Sequence, residues 1–504
     1  MAKIYFCLHG HFYQPPRENP WTNQIEREES ASPFPNWNER IYQECYKPNT
    51  EAVIINEKGE VVRTINNFEY ISFNFGPTLF EWIRKEHPET FEKILNADKI
   101  SCEKFNGKGN AIAQVYNHII MPLATDRDKL TQIRWGKEYF KYFFKRDSEG
   151  IWLSETAVNY STIDILIKEN IKFIILDPLQ ALRYRKAGDS QWIDVSDGSI
   201  NTKVCYRYYS KSFPEKYISI FFYDSNISKN ISFGDLAYSS ERILGAIKSA
   251  SDQIADEIQL INVSVDGETF GHHKKFTERA LAYLLTELLS QNDINIINYS
   301  KYLELYPPVY EVELKAGTND EGTSWSCAHG VERWKNDCGC VTGGMPGWNQ
   351  KWRSPLRDAL NSLRDKLTVI FELEGRKFLK NVWNARDDYI KLMIDNSKEN
   401  IESFFAIHGL RKLDESEIQK CSQLLEMEKY SQFMFTSCGW FFADIGGLEA
   451  RKILEYSKRA LEFAENISDI DLHSEFLEKL EMAKSNLEEF RNAKEIFLNL
   501  KRER

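Results

Sequence analysis

Val263-Ser264-Val265-Asp266-Gly267-Glu268-Thr269-Phe270-Gly271-His272-His273 is an apolar run that ends abruptly in acids, glycines and histidines. Traced back, residues 261–265 read as a strand with Asp266 at its C-terminal end. The same shape recurs along the chain. Residues 4–8 lead into His9-Gly10-His11, Ile151-Trp152-Leu153 into Ser154-Glu155-Thr156, and Lys172-Phe173-Ile174-Ile175-Leu176 into Asp177-Pro178. Between these runs, 129–146 and 162–170 carry apolar residues at helical spacing, the second closing just before the next strand. Strands alternating with helices predict an α/β layer built on a parallel sheet. Polar chemistry gathered at strand C-terminal ends is the habit of a closed α/β barrel, although an open doubly wound sheet gives the same local pattern. No GxGxxG or Walker-type loop is present, which counts against nucleotide binding.

Near Tyr306-Pro307-Pro308 this rhythm stops. A segment rich in Gly, Trp and Cys follows, from Thr323-Ser324-Trp325-Ser326-Cys327-Ala328-His329-Gly330 to Cys340. It is too long and too specialised for a linker, and functional loops have this composition. From about 355 the chain reads as helical. Phe476, Leu480, Ala483, Leu487 and Phe490 alternate at spacings of four and three, which predicts one apolar helical stripe packed on the body of the protein. The expected division is 1–310 for the α/β unit, 311–355 for a loop segment near its cleft, and 356–504 for a helical domain.

Composition narrows the partners. The chain has 504 residues, 42% of them hydrophobic, enough for a large core and against global disorder. Its net charge is −10, from 65 basic and 75 acidic residues, which disfavours nucleic acid or an anionic membrane and suits a neutral substrate. No stretch approaches the ~18 apolar residues of a membrane span, and the opening residues read as a strand and not as a signal peptide. Nine scattered cysteines, an odd number, predict reduced thiols and a cytoplasmic location. Aromatics make up 13%, with 12 Trp; those not in the core have flat faces suited to the C–H faces of sugars.

Glu155 and Asp266 are the leading candidates for chemistry, since acids at strand ends are costly to leave unpaired in a half-buried mouth. Glycoside cleavage uses such a pair, one carboxylate at the anomeric carbon and one carboxyl protonating the leaving oxygen. The plain alternative is that each pairs with an arginine or caps a helix. Asp266 and Glu268, two apart, share a side if the segment is extended; either then serves as the acid, and their mutual repulsion raises one pKa. His9 and His11 share a face by the same rule, and His272 and His273 follow Asp266. These histidines suit either hydrogen bonds to sugar hydroxyls or a divalent metal. Cys327, His329, Cys338 and Cys340 bear zinc-type ligand atoms, but Cys-x-His followed by Cys-x-Cys is not a common zinc spacing. The expectation there is a tightly packed loop over the cleft; whether it is structural, metal-binding or redox-active is left open.

In their order these segments resemble glycoside hydrolase family 57, which groups α-amylases, 4-α-glucanotransferases, branching enzymes and α-galactosidases. His9-Gly10-His11-Phe12-Tyr13-Gln14-Pro15 is similar to the family's opening His-x-His-Gln-Pro with Phe12-Tyr13 inserted. Gly109-Asn110-Ala111 through Asn117-His118 and Pro122 is similar to its second motif. Trp152-Leu153-Ser154-Glu155 and Asp266-Gly267-Glu268-Thr269-Phe270-Gly271-His272 are similar to the segments carrying nucleophile and acid/base. Thr436-Ser437-Cys438-Gly439-Trp440-Phe441 is similar to a helical-domain motif whose Trp lines the cleft, with Cys438-Gly439 in place of the usual Ser-Asp. The resemblance implies a distorted, incomplete (β/α)7 barrel followed by a helical bundle, and a retaining enzyme acting on α-glucans with no cofactor and no metal. Glu155 is then the nucleophile and Asp266 the acid/base, their carboxyls ~5–5.5 Å apart. His9, His11, Gln14, His118, Glu268, His272, Trp334 and Trp440 are the expected substrate-binding residues. The partner implied is an oligo- or polysaccharide; linkage, hydrolysis versus transfer, and oligomeric state stay open.

Two other function classes fit parts of the pattern. A metal-dependent α-mannosidase or polysaccharide deacetylase would use His9, His11, Asp266 and His272 as ligands. A carbohydrate-binding protein without turnover would keep the fold, and the Cys438-Gly439 departure is its one sequence mark.

Overall fold

A computed structural model describes residues 3–252 and 258–501. The strands are β1 (Lys3–Phe12), β2 (Ser72–Phe75), β3 (Ala113–Gln114), β4 (Ile151–Trp152), β5 (Phe173–Leu176), β6 (Ala181–Lys186), β7 (Cys205–Tyr209), β8 (Tyr217–Phe222), β9 (Ile258–Asp266), β10 (Ile294–Ile296) and β11 (Tyr310–Leu314). A hairpin, Ala52–Ile55 with Val61–Ile65, and an edge strand, Ile193–Asp194, stand outside this numbering. Every residue of β1 after Lys3 is buried, as a central parallel strand covered on both faces requires. β1 pairs in parallel with β9 along its length, which sets His11 opposite Asp266. Its other edge is shared by β10 near the start and β2 near the end.

The parallel neighbours continue through single bridges. Phe73 bridges to Ala111 just before β3, β3 pairs with β4, Gly150 bridges to Phe173 of β5, and β5 pairs with β8. Between β8 and β9 the described residues form no ladder. Instead, Asp224 N–H donates to the Asn262 carbonyl at 2.8 Å and the Asn262 amide donates to the Phe222 carbonyl at 3.1 Å. β8 also turns outward into a mixed sheet ordered β5-β8-β7-β11-β6. β-structure therefore runs past Tyr306-Pro307-Pro308, where the sequence rhythm breaks: β11 pairs with β6 and β7 beyond the prolines.

The described helices include α1 (Pro88–Lys104), α2 (Asp126–Phe144), α3 (Tyr160–Lys168), α4 (Arg353–Gly375), α5 (Glu415–Phe433), α6 (Leu448–Glu465), α7 (His473–Met482) and α8 (Ala493–Leu498); α2 and α3 are those expected at 129–146 and 162–170, with shifted ends, and α1 was not anticipated. Thr125 caps α2 by accepting from Asp128 N–H, and Lys145 ends it in the left-handed region at φ 55°. Asp414 and Glu417 make a reciprocal capping box on α5. None of the described helices is long and apolar enough to cross a membrane.

One expected helix is broken. The stripe from Phe476 to Phe490 stops at Met482, and the chain turns before α8. Asp444 is the reason: its carboxylate accepts from the Ser485 hydroxyl at 2.8 Å and from Asn486 N–H at 2.6 Å. Those polar bonds compete with the helix at residues that favour turns. Phe490 still packs, with its ring against Gly446, where a Cβ would sit 2.2 Å from it.

The helical region is seated on the α/β unit through buried charge. Arg386 donates to Asp128 at 2.9 Å, to Glu428 at 2.7 Å and to the Thr131 hydroxyl at 2.9 Å, while its own carbonyl accepts from the Trp135 indole at 2.9 Å. One hydrophobic cluster runs without interruption from Phe6 through Trp135 to Leu424 and Leu461.

Candidate active site

Glu155 follows β4 on a turn that L-residues avoid. Its φ is 58° and that of Thr156 is 50°, and for a β-branched residue this left-handed region is a real strain. Neighbouring segments hold it there. Thr156 Oγ1 donates to Gln180 at 2.9 Å and its carbonyl accepts from the Gln180 amide at 2.9 Å. Trp325 N–H donates to the Glu155 carbonyl at 3.1 Å, and Val158 and Thr323 exchange backbone bonds. The Glu155 carboxylate receives the Trp325 indole N–H at 2.9 Å and the Ser326 hydroxyl at 2.6 Å, both on Oε2. These two donors come from the Trp/Cys-rich segment. They fix the rotamer, and neither was anticipated individually.

Asp266 ends β9. Its side chain is exposed to the cavity it lines, although protein atoms crowd around the carboxyl and partly enclose it. That enclosure strips water from the charged form and, with the Glu155 charge as a second cause, pushes its pKa up to about 7. Glu268 does not extend the strand as expected, because Gly267–Thr269 curls into a 3-10 turn. It still lines the same cavity as Glu155 and Asp266. Burial pushes Glu268 up to about 8, with Asp266 adding to the rise and the Tyr46 hydroxyl opposing it. Its Oε1 accepts from that hydroxyl at 2.7 Å and from Tyr13 N–H at 2.9 Å.

The histidines form a buried, uncharged row. His9 and His11 share a face, as their spacing predicts, and each stacks on Trp152 at 4.9 Å. His9 is held by Ser72 and Asn74 at 3.0 Å each and lies beneath the cavity, not in its wall. Burial lowers it to about 3. His11 reaches the cavity, with Nδ1 on the Asn74 amide and Nε2 3.2 Å from His118 Nε2. His118, also lowered to about 3 by burial, bonds Ser437 Oγ at 2.6 Å and has a left-handed φ of 60°. His272 pairs with Glu44 at the rim.

The cavity is about 440 Å³, sized for a few sugar units. Of the predicted residues it gathers Glu155, Asp266, Glu268, His11, Gln14, His118 and His272. Tyr13, Arg17, Trp37, Phe441 and Glu449 line it too and were missed. The Phe12-Tyr13 insertion was the available signal for Tyr13, which stacks on His118 at 3.8 Å. Trp334 and Trp440, expected as sugar platforms, are instead fully buried and outside the cavity wall. Arg357 links the two: it donates to the Trp334 carbonyl at 2.9 Å and lies over the Trp440 ring at 3.8 Å. Gly439 replaces an acid for a steric reason, since a Cβ there would meet Ile453 at 2.5 Å. Among the described residues the set His9, His11, Asp266 and His272 does not bring its ligand atoms together; one group that does is Cys327, His329, Cys338 and Cys340.

The sequence profile of glycosyl hydrolase family 57 matches residues 4–315, the stretch that carries Glu155, Asp266 and Glu268. The chain belongs to glycosyl hydrolase family 57. A second profile, a domain of unknown function (DUF3536), matches residues 348–503. This family 57 chain is 23% identical over 293 residues to an alpha-amylase of Pyrococcus furiosus and 20% identical over 293 residues to a 4-alpha-glucanotransferase of Thermococcus litoralis. Each match covers 57% of this chain and 39% of the relative, so the chain spans about two fifths of their length. In fold it is similar to an exo-type maltose-forming amylase from Pyrococcus sp. ST04, with a TM-score of 0.68 and 16% identity, covering 95% of this chain and 83% of that one. A branching enzyme from Pyrococcus horikoshii follows at 0.55 and 14%, covering 95% and 94%.

Proposed function

We propose that this protein cleaves or transfers α-glucosidic bonds of an α-glucan by a retaining double displacement, with Glu155 as nucleophile and Asp266 as acid/base. One observation carries the reading: two carboxyls from different strand ends face one cavity, and the acid/base candidate has its pKa raised to about 7, in part by the other's charge. The names of the similar proteins, alpha-amylase, 4-alpha-glucanotransferase and branching enzyme, support the substrate class. We read the parallel neighbours β9-β1-β2-β3-β4-β5-β8 as a distorted seven-strand barrel, which would bring strand C-terminal ends to one mouth. A cytoplasmic location is part of the same reading.

In the first step Asp266 gives its proton to the departing glycosidic oxygen as Glu155 attacks the anomeric carbon, forming a glycosyl ester. In the second, Asp266 takes a proton from water or from a sugar hydroxyl; that oxygen attacks the anomeric carbon and Glu155 leaves as carboxylate. Water completes hydrolysis and a sugar completes transfer. Two inversions give retention. His11 and His118, held neutral by burial, suit hydrogen bonding to hydroxyls without attracting ions.

The test is Glu155→Ala with a panel of α-glucans and product anomers read by NMR. The variant should lose turnover at least about a thousandfold, and azide should restore it with inverted product. Wild-type rates, or rescue with retained configuration, would refute the assignment of Glu155.

A further inference from the structure

Segment 315–352 has little regular structure: two short 3-10 turns, Thr318–Asp320 and Glu332–Trp334. Yet it must hold Trp325 and Ser326 within hydrogen-bonding distance of Glu155. Hydrogen bonds from Arg333 and Thr323 hold parts of this loop, and a cross-link within it would hold the rest. Immediately after Ser326 come the four residues whose ligand atoms, Cys327 Sγ, one His329 ring nitrogen, Cys338 Sγ and Cys340 Sγ, all lie within 4.8 Å of one another. Cys327 Sγ is 3.9 Å from Cys338 Sγ, and Cys340 Sγ is 3.6 Å from His329 Nδ1. A tetrahedron of ~2.3 Å zinc–sulfur bonds has edges of ~3.8 Å. The sulfur pair matches it, the sulfur–nitrogen pair matches the ~3.6 Å edge that one ~2.0–2.1 Å zinc–nitrogen bond gives, and the widest separation needs a closing movement of about 1 Å among His329, Cys338 and Cys340, which are less buried than Cys327.

The backbone around the cluster turns tightly at two glycines. Gly339, between two of the cysteines, has φ 83°, and a Cβ there would meet nothing within 4 Å. Its demand for glycine is therefore conformational, the tight turn that lets two flanking sulfurs face one point. Gly330 has the same φ of 83° and lies against the Gly322 carbonyl. Three thiolates, one neutral imidazole and a zinc ion leave a single net negative charge, and two buried guanidinium groups are at hand to balance it. Arg353 donates to the Cys340 carbonyl at 2.9 Å; Arg333 donates to the Ser326 carbonyl at 3.0 Å and to the Phe441 carbonyl at 3.0 Å.

We propose that Cys327, His329, Cys338 and Cys340 bind one structural zinc ion, which staples the loop that presents Trp325 and Ser326 to Glu155. All four positions are filled by protein, so the ion has no open site for a substrate and works as a brace. The zinc site stands on the ligand geometry alone; only its bracing of a catalytic residue rests on the proposed function.

The test is metal content of the full chain, purified under reductant without chelators. We expect one zinc per chain, at least a tenfold loss in the Cys338→Ser/Cys340→Ser double variant, and full retention in His329→Cys. Cobalt(II) exchanged into the wild type should give the intense visible bands of a tetrahedral thiolate site, a readout independent of whether any variant folds less well. Three results would overturn the proposal: substoichiometric zinc even after reconstitution under reductant, equal zinc in wild type and double variant, or a Cys327–Cys338 disulfide in protein alkylated directly from cells. Bracing is read separately. Stripped wild type should regain its rate on adding zinc, and unchanged turnover after complete stripping would reject that role while leaving the ion in place. Absence of glucan turnover in every form would instead fault the proposed function, since the zinc count does not depend on it.

Discussion

Asp266 supplies the sharpest prediction, because its position fixes both a pH and a partner. Its carboxyl is raised from 3.8 to about 7, first by loss of water around the charge and second by Glu155. In the proposed mechanism the active form has Asp266 protonated and Glu155 ionised, so kcat/KM should be bell-shaped, with an alkaline limb that falls as pH rises through about 7. Half the enzyme is competent at that pH and about a tenth one unit higher, a tenfold loss per unit beyond. In Glu155→Gln the repulsive charge is gone while the enclosure stays. The Asp266 carboxyl, followed by carbon NMR, should then titrate below its wild-type value but still above 3.8. A wild-type profile without an alkaline limb between about 6 and 8, or an Asp266 titration indifferent to Glu155→Gln, would show that the two carboxyls do not share a site.

The same shift predicts stability. Between 3.8 and about 7 the unfolded chain releases the Asp266 proton while the folded chain keeps it, so stability falls as pH rises through that window and the loss is complete above it. Asp266→Asn should therefore raise Tm at pH 8 and leave it unchanged at pH 3.5; an equal effect at both would contradict the shift. Arg386→Met strands Asp128 and Glu428 in the interior and should cost about 3–5 kcal/mol in urea unfolding, whereas a loss under about 1 kcal/mol would mean the triad is not dry. Trp440→Ala should cost about 3–5 kcal/mol of stability while KM for oligosaccharide stays within about threefold below the melting range, as a packing role requires. A large KM increase in a variant of normal Tm would restore Trp440 to the cleft.

The two carboxyls were legible because strand ends announce themselves: an apolar run stops and an acid stands at its edge, as at Leu153-Ser154-Glu155 and Val265-Asp266. Register then follows from neighbours, and His11 falls opposite Asp266. What stayed hidden depends on contacts distant in sequence. Trp334 and Trp440 have the flat faces of sugar platforms, and only the packing shows them buried, Trp440 with its ring against the Arg357 guanidinium. The stripe ending at Phe490 has helical spacing, and only Asp444, about forty residues earlier, shows why the helix stops. Spacing also placed Asp266 and Glu268 on one extended face, but the chain turns at Gly267, where a Cβ would sit 2.4 Å from the Phe12 ring, a contact that no side-chain period reveals.

The nucleophile candidate joins these points. Backbone strain of about 1–3 kcal/mol per residue at Glu155 and Thr156 persists only if surrounding parts over-determine the turn. The restraints observed come from Gln180, beyond the next strand, and from 323–326, far along the chain. Within the turn itself, Thr156 and Ala157 N–H bond back to Leu153 and Ser154, a local pair that a relaxed turn would make equally well. The geometry of Glu155 is therefore owned by the loop more than by its own strand. Loosening the loop would free the turn to relax toward ordinary φ values and shift the carboxylate within the cavity it shares with Asp266, with the strand and the carboxylate both intact. A site of this construction fails in catalysis before it fails in folding.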